Sequence, residues 1–337
     1  MAELRIPTWL AGPSPDIINV SPSLLADVLT CETKGWTRHG QGYTSKGDAM
    51  KALAGSALHG GVAEFLRPAE LDHVERAVRT LHGIYDEKYP TFAAEELDLA
   101  YTPLNLERIL RRWCEAHPES TRPWKRVVTT ELAFCTREFK ITHAGRTYTI
   151  RLIVRPDAIV EDFAGIYRFM DTKTTGWRIA DSGWRAQLRL SLQFALYTDG
   201  VQQYGRTANV PTALGGWVNA IEINKVPDAS NRKCTWPQHK GATYEVCGKE
   251  HVKMDMIEAM TTEERLAQAV RDAEWAARTL VTLLASETPD DLHMEGGANG
   301  VCRFCPASSF CEAGRHPESL PGFMLFEPWE ITEGERA

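Results

Sequence analysis

Residues 147–175 read TYTIRLIVRPDAIVEDFAGIYRFMDTKTT, and they decide the class of fold. β-Branched and aromatic residues alternate with polar ones, and Gly165 punctuates the run, as strands joined by a tight turn require. With Val127 to Phe139 before it and Gly145 between, the segment predicts a three-strand meander: 127–139, 147–160 and 166–171. Asp157 falls near the end of one predicted strand and Asp171 near the end of the next, with thirteen residues between them. Adjacent antiparallel strands lie about 4.8 Å apart, so two such carboxylates can share one divalent cation. Mg²⁺ and Mn²⁺ are hard cations that take oxygen ligands, with water and phosphate completing the shell. Lys173, two residues past Asp171, lies on the same strand face and could hold or deprotonate an attacking water. Alone, such a D-x-K describes an exposed ion pair at a strand end; its surroundings give it meaning.

Working outward, Ser21-Pro22-Ser23 is a helix start, with a capping serine before a proline at the first helical position, and predicts a helix to about Cys31. Helical periodicity runs through 47–67, 71–86 and 104–117. After the strands comes one amphipathic helix over 184–204, on which Arg185, Arg189, Gln193 and Tyr197 recur every four residues as a single stripe. A strand over 216–223, a polar loop over 228–241 and a long helix over 256–285 complete the pattern. Helices, strands and helices again predict an α/β or α+β core wrapped in helices.

Together these motifs resemble the PD-(D/E)xK nucleases, and among them the RecB-like branch with its Q-x-x-x-Y helix. Pro156-Asp157, Asp171-x-Lys173 and Gln193-x-x-x-Tyr197 stand in that branch's order. Gly55-Ser56-Ala57-Leu58-His59 matches its G-x-x-x-H helix, and Ser21-Pro22-Ser23 with Cys31 is similar to its S-x-S…C-P-x-x-F entry, with Glu32 in place of proline. The resemblance implies an α/β fold: a restriction-endonuclease-like core, a central mixed β-sheet flanked by helices, with a helical N-terminal part and a C-terminal iron–sulfur clasp. It implies one nuclease domain over 1–337: a helical region 18–120 carrying Cys31 and His59, a catalytic sheet and helix 121–225, and C-terminal helices with cysteines 226–337. It makes His59, Asp157 and Asp171 ligands of Mg²⁺ or Mn²⁺, Lys173 the water-orienting base, and Gln193 and Tyr197 its positioning partners. Glu131 is a further acidic position.

Cys302-x-x-Cys305 and then Cys311 form a second signal. A C-x-x-C needs further ligands, and a Cys₄ zinc site has the same count as a cluster. The resemblance, to AddB-type and CRISPR-associated four-cysteine nucleases, makes Cys31, Cys302, Cys305 and Cys311 ligands of a [4Fe–4S] cluster. Cys114, Cys135, Cys234 and Cys247 show no ligand spacing.

A net charge of -7 excludes a uniformly basic surface. It conceals a central segment, 121–189, with 13 Lys and Arg against 7 Asp and Glu, and a tail, 255–337, with 6 against 16. Trp177 and Trp184, interleaved with Arg178, Arg185 and Arg189, could stack bases and pair phosphates along a single strand, or simply flank the core. No apolar run is long enough to span a membrane and the start lacks a leader, so the expected location is the cytoplasm of a prokaryotic cell or of a phage's host. The expected activity is a metal-dependent exonuclease on single-stranded or frayed DNA ends, in repair, recombination or CRISPR adaptation. No G-x-x-x-x-G-K-[ST] loop is present, so a helicase, recombinase or integrase would be a separate protein. The alternatives are a non-cleaving DNA-end-binding module and a redox protein built on the cluster.

Overall fold

The computed structural model describes residues 4–67, 72–88, 99–176, 178–223 and 253–286, together with 302, 305, 307–312, 314–315 and 324–325. The polar loop expected over 228–241, Cys234, Cys247 and Trp177 lie outside them.

Two sheets organise the chain. The smaller has order β1-β5-β4: β1 (Ile17–Val20) runs parallel to β5 (Arg146–Val154), which pairs antiparallel with β4 (Phe134–His143). The larger has order β3-β6-β7-β8-β9, from β3 (Trp124–Thr130), β6 (Ala158–Asp162), β7 (Tyr167–Thr175), β8 (Thr212–Glu222) and β9 (Lys253–Met260). β7 and β8 are parallel, and α6 (Ser182–Leu190) and α7 (Leu192–Ala208) make the crossover such a pair requires. The expected meander is therefore corrected: two of its three strands divide between sheets. The chain leaves β3 for β4 at Glu131, whose φ of 53° turns it away from the ladder. It leaves β5 for β6 at Arg155-Pro156-Asp157, where proline has no N–H to continue a ladder.

The helices before the strands pack on one face of the larger sheet. α3 (Lys46–Leu66), α4 (His73–Lys88) and α5 (Pro103–Ala116) share a core with Ala158, Val160, Met170 and Ile221. Two glycines of α3 permit this approach: a Cβ on Gly60 would stand 2.3 Å from Ile84 Cδ1, and one on Gly61 2.5 Å from Leu110 Cδ2. The opposite face, through Phe169, Val218 and Ile257, packs with the smaller sheet, α1 (Pro22–Thr30), α7 and α8 (Glu263–Ala285). The start of α1 is as read from the sequence, with Ser21 Oγ accepting from the Leu24 amide at 3.2 Å.

Two further expectations are corrected. The helix read as 184–204 is broken at Ser191, which is extended (φ -60°, ψ 125°), into α6 and α7. Arg185 and Arg189 thus belong to a different helix from Gln193 and Tyr197, and the four form no continuous stripe. The helix read as 256–285 begins only at Glu263, capped by Thr262. Its supposed first turn is β9, where inward Ile257 and Ala259 alternate with exposed Glu258 and Met260 along the edge of β8. A period of two outweighed helical propensity once a ladder was available.

The far end of the chain returns to the beginning. α9 (Ser308–Glu312) sets Phe310, fully buried, in a stack on Trp36 with centroids 6.2 Å apart, and Met324–Leu325 (β10) pairs with Tyr43–Thr44 (β2). No described helix is long and apolar enough to cross a membrane.

Candidate active site

The site forms where the chain changes sheets. β6 and β7 pair antiparallel as far as Ala158 and Met170, so the residues just beyond, Asp157 and Asp171, come side by side. No β6 residue remains to receive the next amide of β7. The Asp157 side chain takes that place: its Oδ2 accepts from the Thr172 amide at 2.6 Å. A buried backbone N–H must find a partner, and here a carboxylate ends the ladder in place of a strand. Its other oxygen, Oδ1, faces His59 Nδ1 of α3 at 3.4 Å.

Alternation along β7 then divides its residues. Asp171 and Lys173 lie on the side of α7; their carboxylate and ammonium stand 2.8 Å apart, and Lys173 Nζ rests 5.6 Å above the Phe194 ring. From α7 come Gln193 and Tyr197, four residues apart, with Gln193 Nε2 donating to the Tyr197 hydroxyl at 2.8 Å. Thr172 points the other way, into a buried polar chain. Trp113 Nε1 donates to Asn219 Oδ1 at 2.8 Å, and Asn219 Nδ2 donates to Thr172 Oγ1 at 3.2 Å. α5, β8 and β7 are thereby fastened behind the residue that holds Asp157.

A cavity of 530 Å³ opens over these groups. His59, Glu131, Asp157, Asp171, Lys173, Gln193 and Tyr197, scattered over 139 positions of sequence, all line it. Ser21 and Ser23 at the start of α1 reach its wall. Residues the sequence reading passed over, Arg155, Arg67 and Glu64, line it too. Arg155 could have been noticed, since it directly precedes Pro156-Asp157 and so shares the turn between sheets. Arg185 lies elsewhere: its guanidinium donates to the Ile179 carbonyl at 2.9 Å and pairs with Asp255 of β9 at 2.5 Å. It lines a separate hollow with Arg112 and Lys253. Arg178 and Arg189 are exposed, and Trp184 is half-buried against the core.

Electrostatics divide the acids. Burial raises the Asp157 pKa, but His59, the Thr172 amide and Lys173 bring it below the usual carboxylate range. Burial and the neighbouring Asp157 leave Asp171 raised in spite of Lys173. Glu131 is pushed up to about 7, by burial and then by Asp157. Burial opposes the charge on His59, yet Asp157 and Asp171 together raise its pKa. Burial, with Asp171, raises Tyr197 well above the ordinary phenol value, so its hydroxyl stays neutral and keeps its proton to donate.

Among the described residues no three His, Cys, Asp or Glu side chains are drawn into a ready ligand shell. The pairing explains why: each carboxylate leans toward its own cation. The donor chemistry nonetheless suits a hard divalent ion. Asp157 and Asp171 are adjacent, both are buried, and Asp171 Oδ2 makes an ion pair but no hydrogen bond.

Among the described residues the four thiols of the second signal are not drawn into a metal-ligand group. Burial raises Cys305, and Cys31 and Cys302 add to the effect; Cys311 is pushed up to about 11 by burial and by the other three. Lys34 is close enough to act on Cys305 in the opposite sense. Cys114, buried in the core of the helical face, belongs to no such group.

A family model for the PD-(D/E)XK nuclease superfamily matches residues 19–312, a span that runs from β1 to the last cysteine helix. The chain belongs to the PD-(D/E)XK nuclease superfamily. Its two mixed sheets flanked by helices are that superfamily's restriction-endonuclease-like fold, and as a member it is a nuclease. Among solved structures, SSO0001 is 14% identical, with 90% of this chain and 89% of that one covered and a TM-score of 0.32. A protein from Eubacterium rectale, provisionally titled an exonuclease, is 12% identical, with 83% and 85% covered and a TM-score of 0.44. No curated protein matches.

Proposed function

We propose that this PD-(D/E)XK nuclease is a Mg²⁺- or Mn²⁺-dependent deoxyribonuclease acting as an exonuclease on single-stranded or frayed DNA ends. The observation that carries the proposal is the meeting of Asp157, Asp171, Lys173, His59, Gln193 and Tyr197 in one cavity. Asp157 and Asp171, with His59, would hold the divalent ion. When bound, such an ion neutralises charge on the scissile phosphate and makes a coordinated water more acidic. Lys173 orients the attacking water. Tyr197, neutral and accepting from Gln193, keeps its own proton to donate to the strand. Glu131 supplies a further carboxylate at the rim. The products are a 5′-phosphate and a 3′-hydroxyl.

Cys31, Cys302, Cys305 and Cys311 are assigned as the ligands of a [4Fe–4S] cluster with a structural role. The Trp36–Phe310 stack, which brings α9 against the start of the chain, supports a clasp between the termini. Arg178, Arg185, Arg189 and Trp184 are candidate strand contacts outside the cavity, and Trp177 is a further candidate. The pathway is DNA processing in recombination, repair or CRISPR adaptation, alongside a separate helicase or integrase. Incubation with Mn²⁺ and oligonucleotides labelled at either end tests the reading. Stepwise loss from one end supports it; internal cuts alone, or cleavage of RNA only, would overturn it.

A further inference from the structure

Four cations line the cavity, and each faces one of the cavity's own carboxylates. His59 stands 3.4 Å from Asp157, Lys173 2.8 Å from Asp171, Arg67 2.9 Å from Glu64 and Arg155 3.1 Å from Glu131. Three of these pairs have a reason already. The first two form the reactive centre. The third ties α3 to α4, since Glu64 also holds Arg76. The Arg155–Glu131 pair has none.

Its setting is unusual. Glu131 sits at φ 53°, a left-handed backbone that residues other than glycine seldom adopt, and its amide donates to the Asp157 carbonyl at 3.0 Å. Such conformations persist where surrounding structure imposes them, and they gather at functional sites. The imposed turn puts the Glu131 carboxylate against the guanidinium of Arg155, two residues before Asp157. Arg155 is one-third exposed at the cavity and near enough to Tyr197 to influence it. A planar guanidinium beside a phosphodiester-cleaving centre is suited to bidentate binding of a phosphate.

We propose that Arg155 binds a phosphate of the substrate strand next to the scissile one, and that Glu131 occupies Arg155 until that phosphate displaces it. Glu131 is thus an internal stand-in for the substrate anion. The inference rests on the nucleic-acid reading above and deepens it by assigning a phosphate subsite.

The test is binding without turnover. A fluorescent dT oligonucleotide is titrated with the full, cluster-loaded chain in Ca²⁺ over a range of salt, following anisotropy, for wild type, Arg155→Ala, Arg155→Lys, Glu131→Gln and the Arg155→Ala/Glu131→Gln double variant. A single-strand phosphate contact contributes about 0.7 to the slope of log K against log salt. Arg155→Ala is expected to flatten the slope by about that amount and weaken binding about tenfold, with Arg155→Lys between. Glu131→Gln is expected to tighten binding about threefold in the wild-type background and not at all when Arg155 is Ala. Equal slopes for wild type and Arg155→Ala, in proteins with matching thermal midpoints, would overturn the proposal. So would a Glu131→Gln gain that persists without Arg155, which would be bulk charge alone. Failure of the wild type to bind any oligonucleotide would remove the nucleic-acid reading itself, a result separate from binding that ignores Arg155.

Discussion

Replacing Asn219 by alanine isolates the polar chain behind the site. Asn219 is fully buried and links two side chains that have no other hydrogen-bond partner among the described residues: it accepts from Trp113 Nε1 at 2.8 Å and donates to Thr172 Oγ1 at 3.2 Å. Alanine leaves both unsatisfied in the core. A stranded buried polar group costs roughly 1 to 3 kcal/mol, so two of them put the loss near 4 kcal/mol. Domains are stable by only about 5 to 15 kcal/mol, so the variant folds with a thin margin. At about 2 to 4 °C per kcal/mol the thermal midpoint falls by about 8 to 16 °C. Equilibrium urea unfolding measures the loss directly. Trp113→Phe removes the same first bond from its other end, so the double variant is expected to lose clearly less than the two singles added together. Because Thr172 also donates its amide to Asp157, cleavage by Asn219→Ala is expected to fall further than its unfolded fraction explains. A loss under about 1 kcal/mol, or strict additivity with Trp113→Phe, would refute the reasoning.

Three other outcomes are expected. Glu131 is raised from 4.5 to about 7, so the folded chain keeps a proton there that the unfolded chain has released, and metal-free stability falls as pH rises through that window; urea midpoints at pH 5 and 7.5 are expected to lie closer together in Glu131→Gln than in wild type. Asp27 is the reverse case: burial opposes its charge, but His39, Lys34 and Arg38 hold it well below 3.8, so its contribution is present above that value and lost as pH falls below it, and Asp27→Asn is expected to lessen the acid-side loss of stability followed by circular dichroism. Cys302→Ser is expected to lose the brown colour and the iron of anaerobically purified protein, while Cys114→Ser keeps both; zinc in a colourless wild type would contradict the cluster assignment.

Much of the site was legible because its chemistry is local in sequence. The spacing of Asp157, Asp171 and Lys173 along strands fixes which side chains share a face, and Gln193 with Tyr197 needs only one helical turn. His59 was reachable through resemblance alone, since nothing in the periodicity of α3 marks it. The breaks were harder to see. Glu131 and Pro156 interrupt runs that read as continuous strands, because β-branched residues continue on both sides while the chain passes to another sheet. Ser191 breaks a helix without glycine or proline, and so the basic stripe through Arg185 and Arg189 was an artefact of assumed continuity. The sequence of β9 reads as helix because Met, Glu and Ala favour helices, and only pairing along the edge of β8 makes it a strand. The Trp113–Asn219–Thr172 chain joins residues 106 and 47 positions apart, a separation no local pattern encodes.

The central claim is that one cavity, built at the turn between two sheets, cleaves phosphodiester bonds through Asp157, Asp171 and Lys173. Lys173→Ala removes the group proposed to orient the attacking water and leaves both carboxylates in place. The decisive measurement is single-turnover cleavage of labelled single-stranded DNA in Mn²⁺ by wild type and Lys173→Ala, with Mn²⁺ binding followed by calorimetry. The account predicts a rate lower by about 10² to 10⁴ with Mn²⁺ affinity retained. Equal rates in the two proteins, or no cleavage by pure, cluster-loaded wild type, would contradict it.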